Sequence, residues 1–163
     1  MQYKYRVAPW DTNIWIGTLL MLGDGIAFLL FGSIMLKIAI SVIYCVAIFP
    51  LVLGTGLPLG YTLSEQDIVI RQITNITIKL SDIQSIALMG RLIPLSRLGN
   101  GGLFGYTGEF TLENEEKVMA SCTRWTNVVR IKTHNTTYII SPSGPTEFCQ
   151  KVNSFIRPTQ ALC

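Results

Sequence analysis

The sequence predicts a membrane α-hairpin followed by a mainly-β domain of seven antiparallel strands closed by one helix. Three observations carry that prediction. Only two charged side chains, Asp24 and Lys37, fall between Ile14 and Leu59, out of 23 in a chain of 163 residues. Beyond that block, short runs alternate apolar and polar residues and are rich in β-branched side chains, the pattern of half-buried strands. Near the end, apolar residues recur at helical spacing.

Composition sets the outer limits. The chain is 49% hydrophobic and 14% charged, against about 25% charged in an ordinary soluble domain. Such apolar content excludes disorder. A net charge of +3 is far from the dense Lys/Arg footprint that neutralises phosphates, so no nucleic-acid partner is expected.

The apolar block is long enough for two crossings of about 20 residues each. The first is placed at Asn13–Gly32 and the second at Leu36–Leu57, with Gly32, Ser33 and Lys37 at the turn. It is too long for the apolar core of a signal peptide. A buried hairpin within a soluble fold is the competing reading. Pro50 and Pro58 kink and end the second span, since proline removes a donor and clashes with the preceding turn. Tyr3, Tyr5, Trp10 and Trp15 precede or open the first span and Tyr61 follows the second, as an aromatic belt at one surface would. Lys4, Arg6, Arg71 and Lys79 on that side, against Lys37 on the other, put both termini in the cytoplasm. Cys45, Cys122, Cys149 and Cys163 form no regular framework and read as reduced. Domain boundaries follow: 1–60 for the N-terminal segment and hairpin, 61–163 for the β domain.

Asp24, between Gly23 and Gly25, is costly in hydrocarbon and must be protonated, paired or wet. It marks either a proton path or partner contact, or a backbone-bonded acid where glycines let helices approach closely.

Seven runs then read as strands: Asp67–Gln72, Ile76–Leu80, Gln84–Met89, Glu109–Leu112, Val118–Cys122, Val128–Thr133 and Thr137–Ser141. Turn residues separate them, including Thr74-Asn75, Ser81-Asp82, Glu113-Asn114-Glu115 and His134-Asn135. The final helix starts at Ser143-Gly144-Pro145, with proline near the first helical position, and ends at Arg157-Pro158. Its apolar stripe is Phe148, Cys149, Val152, Phe155 and Ile156.

The strand and helix order, with the segments YTLSEQDIVIRQ, KLSDIQSIALM, GLFGYTGEF and YIISPSGPTEFCQKV, resembles the bacterial pleckstrin-homology (PH) domain family. Members often carry two membrane helices just before a Tyr-Thr strand, here Tyr61-Thr62. The resemblance implies a PH-like seven-stranded antiparallel barrel with a C-terminal capping helix, set in a bacterial inner membrane. It implies little about activity, because a fold hosts many functions.

Arg91–Gly108 stands apart, an inter-strand segment with five glycines and one proline. Gly99–Gly102 are candidates for an anion-binding backbone nest beside Arg91 and Arg97. No Lys-Ser/Thr follows, which excludes a P-loop. Phe104 and Tyr106 make the segment apolar as well, so it either packs on its own barrel or grips a partner.

For function, the single histidine, His134, sits in a turn and has no second histidine for a metal site. No enzyme activity, metal or cofactor is expected. Eukaryotic PH domains that read phosphoinositides carry several Lys/Arg across the first hairpin. Arg71 and Lys79 alone stand there, so anionic-lipid or small-ligand binding is the alternative reading. The leading expectation is a non-catalytic accessory or scaffold subunit of a larger bacterial membrane assembly. Its partners would be the bilayer, other membrane subunits or a second copy of itself. The candidate contacts are Asp24, Arg71, Lys79, Arg91, Arg97, Phe104 and Tyr106.

Overall fold

A computed structural model describes residues 2–31, 33, 34, 38, 42, 57–101 and 104–160. In chain order the elements are β1 (Tyr3–Tyr5), α1 (Thr12–Phe31), β2 (Gly60–Leu63), β3 (Asp67–Arg71), β4 (Ile76–Lys79), β5 (Ile83–Arg91), β6 (Pro94–Gly101), β7 (Tyr106–Leu112), β8 (Lys117–Cys122), β9 (Thr126–Thr133), β10 (Thr137–Ile140) and α2 (Pro145–Gln160). All seven predicted strands are present, as β3, β4, β5 and β7–β10.

The strands form two sheets, a four-stranded one ordered β1-β2-β3-β4 and a six-stranded one ordered β5-β9-β10-β8-β7-β6. The first is an antiparallel meander. In the second, β10 inserts between β9 and β8 and runs parallel to β8, so the all-antiparallel expectation is corrected there. The local pattern shows that a strand is half buried or fully buried. It does not show which neighbour the strand takes.

The six-stranded sheet is curled. Its two edge strands, β5 and β6, are separated in sequence by Leu92 and Ile93 alone. Three peptide steps reach about 10 Å, whereas six strands laid flat would set their edges about 24 Å apart. The edges therefore converge at the Arg91–Pro94 corner. They are not hydrogen-bonded to each other, so the expected closed seven-stranded barrel is instead two open sheets.

Each face of the curled sheet covers a core. One core lies under the four-stranded sheet and α2, with Tyr61, Ile68, Ile70, Val129, Ile131, Ile140, Phe148 and Val152. The other lies on the opposite face, with Tyr106, Phe110, Val118, Trp125, Val128, Ile139 and Ile14 of α1. Consecutive residues on a strand point to opposite faces. Val128 with Val129, and Ile139 with Ile140, are fully buried pairs, so both faces are covered there. Helix α2 begins where proline and the Gly144 carbonyl, which accepts the Phe148 N–H at 2.9 Å, set its first turn. It continues through Pro158 to Gln160, two residues past the expected stop. A proline so near the end removes only one late hydrogen bond.

The membrane expectation is overturned. Among the described residues no helix is long and apolar enough to cross a membrane. The first predicted span is helical as α1, but its opening turns are used on the β domain: Ile14 and Thr18 are buried there. The apolar run left over, Leu19–Phe31, contains Gly23-Asp24-Gly25 and extends about 20 Å, against about 30 Å of hydrocarbon. The second predicted span, Leu36–Leu57, falls almost wholly outside the described residues, as do Lys37 and Cys45. The two-helix transmembrane hairpin, the multi-pass placement in a bacterial inner membrane and the cytoplasmic assignment of both termini are therefore withdrawn.

Of the aromatic residues assigned to a membrane belt, Tyr3, Tyr5, Trp10 and Tyr61 pack between elements instead, and Trp15 is half exposed. Tyr3 and Tyr5 lie on β1, which pairs with β2. Tyr5 meets Phe148 edge-on at 5.0 Å, and Tyr3 lies 6.2 Å from Phe155 with the Lys151 ammonium 4.3 Å over its ring. Trp10 lies tilted against Trp15 at 5.1 Å and edge-on to Phe104 at 5.9 Å.

Candidate interaction surface

The surface is built around the start of α1. Asp11 caps the helix: its Oδ1 accepts the Ile14 N–H at 3.0 Å and its carbonyl accepts the Trp15 N–H at 3.1 Å. An aspartate there satisfies donors that have no partner inside the helix. The same carboxylate accepts the Tyr106 hydroxyl at 3.2 and 3.0 Å through its two oxygens. The Asp11 N–H donates to the Thr123 carbonyl at 3.2 Å. One residue thus ties α1 to β7 and to the β8–β9 connection.

Tyr106 is buried, with its ring edge-on to Phe110 and tilted against Trp125. Burial, then the Asp11 charge and hydrogen bond, hold its phenol well above the ordinary value. It stays neutral and donates. Replacing Asp11 by Ala is expected to cost about 1–2 kcal/mol, the value of a helix cap. It also removes the carboxylate that accepts the Tyr106 hydroxyl, so the near-UV tyrosine signal should shift while far-UV ellipticity from the β domain holds.

Beside this junction lies a cleft of about 600 Å³ lined by Asp11, Thr12, Arg91, Leu92, Ile93, Tyr106 and Trp125, among others. Its outer wall is the β5–β6 corner. That corner is fixed by two backbone bonds: Leu92 N–H donates to the Trp125 carbonyl at 2.9 Å, and Glu113 N–H to the Ile93 carbonyl at 3.1 Å. A smaller cleft of about 260 Å³ lies against the same corner and includes Glu113, Glu116 and Arg130. Glu116 there accepts from Arg130 at 3.2 Å and from the Thr137 hydroxyl at 3.0 Å. Arg91 is exposed and lines both clefts. On the corner, Ile93 is 45% and Leu95 63% exposed.

The predicted contact residues divide into groups. Arg91 and Tyr106 meet at the larger cleft. Phe104 lies nearby, with its N–H 3.4 Å from the Thr18 hydroxyl that accepts it, and with a positive φ of 60° that a non-glycine residue rarely adopts. Gly105 follows, where a Cβ would come within 3.3 Å of the Cys122 carbonyl and of Pro58. Arg97 is on β6 opposite Phe110, and Asp24 is within α1; both side chains lie outside the described residues. Gly99–Gly101 are ladder residues of β6 paired with Tyr106–Gly108, an extended backbone in place of the anion nest. Arg71 and Lys79 do not converge. Lys79 stands opposite Asp67 at one end of the β3–β4 hairpin and Arg71 is at the other, about 13 Å away along the strand. Lys79 instead lines a third cleft, of about 470 Å³, with Asp67, Phe155 and Ile156.

Two residues of the surface escaped the sequence reading. Asp11 had a signal, an aspartate immediately before an apolar helical run. Trp125 had none, because its place at the cleft depends on the β8–β9 connection. His134 is exposed in the β9–β10 turn with its Nδ1 3.0 Å from the Gln84 amide nitrogen. Among the described residues no cluster of three His, Cys, Asp or Glu side chains could hold a metal ion.

The buried phenols and thiols set an alkaline limit. Burial pushes up the Tyr61 and Tyr106 phenols and the Cys122 thiol, and pushes Cys149 to about 11. At neutral pH both folded and unfolded chains keep these protons. Above about pH 8.5 for thiols and about pH 10 for phenols, the unfolded chain releases protons that the folded chain retains. Stability should therefore fall as pH rises through that window. Urea midpoints measured between about pH 8 and pH 11 check it, and a flat profile would contradict the burial of these groups.

Residues 59–156, from just before β2 into α2, match the family described as Bacterial PH domain. No curated protein and no solved structure matches the chain. With two sheets, a C-terminal helix and that match over more than half its length, the chain belongs to the bacterial PH domain family.

Proposed function

We propose that this chain is a non-catalytic interaction module, an accessory or scaffold subunit that docks a partner protein at the β5–β6 corner. The observation that carries the reading is the exposure of Ile93 and Leu95 beside Arg91 on a backbone held rigid from both sides. Exposed apolar residues next to an arginine are the composition of an interface centre. Because the corner is fixed before binding, little ordering entropy is lost on contact. The cleft behind it, floored by Tyr106 and Trp125, offers a place for one apolar side chain of the partner. The lone histidine, in an exposed turn against Gln84, supports a non-catalytic role.

The test is affinity purification of the full chain in mild detergent, followed by mass spectrometry of what is retained. The paired change Ile93→Asp and Leu95→Asp should release a protein that the unchanged chain holds, with the same far-UV spectrum. If the set of retained proteins is identical, or if neither form retains any, the reading fails.

A further inference from the structure

We propose that β5 pairs with β5 of a second copy of this chain, antiparallel about a two-fold axis at Ala87. Among the described residues β5 is hydrogen-bonded to β9 alone, so its other edge presents free backbone donors and acceptors. Native proteins guard such edges with short strands, prolines, charges or bulges. β5 is nine residues long, and Gln84–Gly90 holds neither proline nor charge. Its one irregularity, between Ile83 and Ser85, is at the very start.

The residues along this edge are complementary to themselves. Asp82 precedes the strand and Arg91 ends it, and both are exposed. Among the described residues no ion pair involves either one. Turning a second copy about Ala87 brings Arg91 to Asp82 of the partner subunit, because the irregularity between Ile83 and Ser85 takes up one residue of the register, and does so twice. The same register places Leu88, which is 47% exposed, opposite Ile86 of the partner subunit. Ile86 already packs on the core beneath the four-stranded sheet, so the added Leu88 extends that core. Apolar cross-strand pairs in the middle and opposite charges at the ends both favour this register. The small Ala87 meets itself at the axis without a clash. A closed two-fold contact of this kind uses up both free β5 edges and stops at two copies. This inference does not rest on the docking reading, which is carried by the exposed Ile93 and Leu95; Arg91 alone is common to the two.

Light scattering that reports protein mass, on the full chain in mild detergent, is the measurement. The unchanged chain should have the mass of two chains. Asp82→Arg alone and Arg91→Asp alone should each halve it, and the double variant should restore it. Ala87→Cys should form a covalent dimer on oxidation, whereas Lys117→Cys on β8 should not. Far-UV spectra control for folding, and both charged positions are exposed. A single-chain mass at every concentration overturns the proposal. So does a dimer that is indifferent to Asp82→Arg and is not captured through Ala87→Cys. A foreign strand occupying the edge would appear as one chain bound to one other protein, and that also overturns it. The Ile93→Asp and Leu95→Asp pair should leave the dimer mass unchanged, which separates the two proposals.

Discussion

Replacing Tyr61 by Phe should destabilise the chain by about 2–6 kcal/mol, although it removes one oxygen and leaves the ring in place. The Tyr61 hydroxyl crosses from the four-stranded to the six-stranded sheet. It donates to the Ser121 carbonyl at 2.8 Å and accepts the Ser141 N–H at 3.1 Å. Tyr61, Ser121 and Ser141 are all buried, so no water can replace the lost partner. Each buried backbone group left unpaired costs about 1–3 kcal/mol. Urea unfolding at neutral pH would show the loss as a lower midpoint with an unchanged slope. An effect below about 1 kcal/mol would mean that solvent reaches both groups, contrary to the packing between the sheets.

Replacing Phe148 by Ala should cost about 3–5 kcal/mol. The ring is fully buried on the inner face of α2, edge-on to Tyr5 and in the core with Tyr61, Ile131 and Val152. It joins α2, β1 and both sheets, so collapse around the cavity would need all of them to move. A rigid site of that kind sits at the upper end of large-to-small effects. Thermal unfolding should show the drop in midpoint, and Tyr3 and Tyr5 should gain exposure with it. A loss under about 1 kcal/mol would show that α2 is dispensable to this core.

Much of the β domain is legible in the sequence because its signals are local. Asp67–Arg71 alternates inward and outward residues, and the buried pair Ile68 and Ile70 confirms the phase. The stripe Phe148 and Val152 in α2 is fully buried, as its spacing requires. β6 was not legible. Pro94–Gly101 lacks alternation and carries two glycines, and it is extended because β7 pairs with it along its whole length. The N-terminal strand was hidden for a different reason. Tyr3 and Tyr5 beside an apolar block read as a membrane belt, whereas their rings pack on α2.

The contact residues show the same division. Arg91 is readable as a cation beside a glycine-rich segment, and the structure places it, exposed, on the cleft wall. From sequence, Tyr106 is a candidate contact in a segment that either packs on its own barrel or grips a partner. Its hydroxyl is instead taken up by Asp11, which lies 95 residues earlier in the chain. Such a pair has no sequence signature, because neither residue type nor spacing brings the two together.

By itself, then, the sequence determined the strand runs, the final helix, the apolar block and the family likeness. Each depends on periodicity or composition along the chain and not on which distant segments meet. The tertiary structure alone decided the parallel β8–β10 pair, the curl that brings β5 to β6, the docking of α1 through Asp11 and the place of β5 at the edge of its sheet among the described residues. These depend on which distant surfaces meet, and that is set by the summed burial of two cores and not by any one segment's preference.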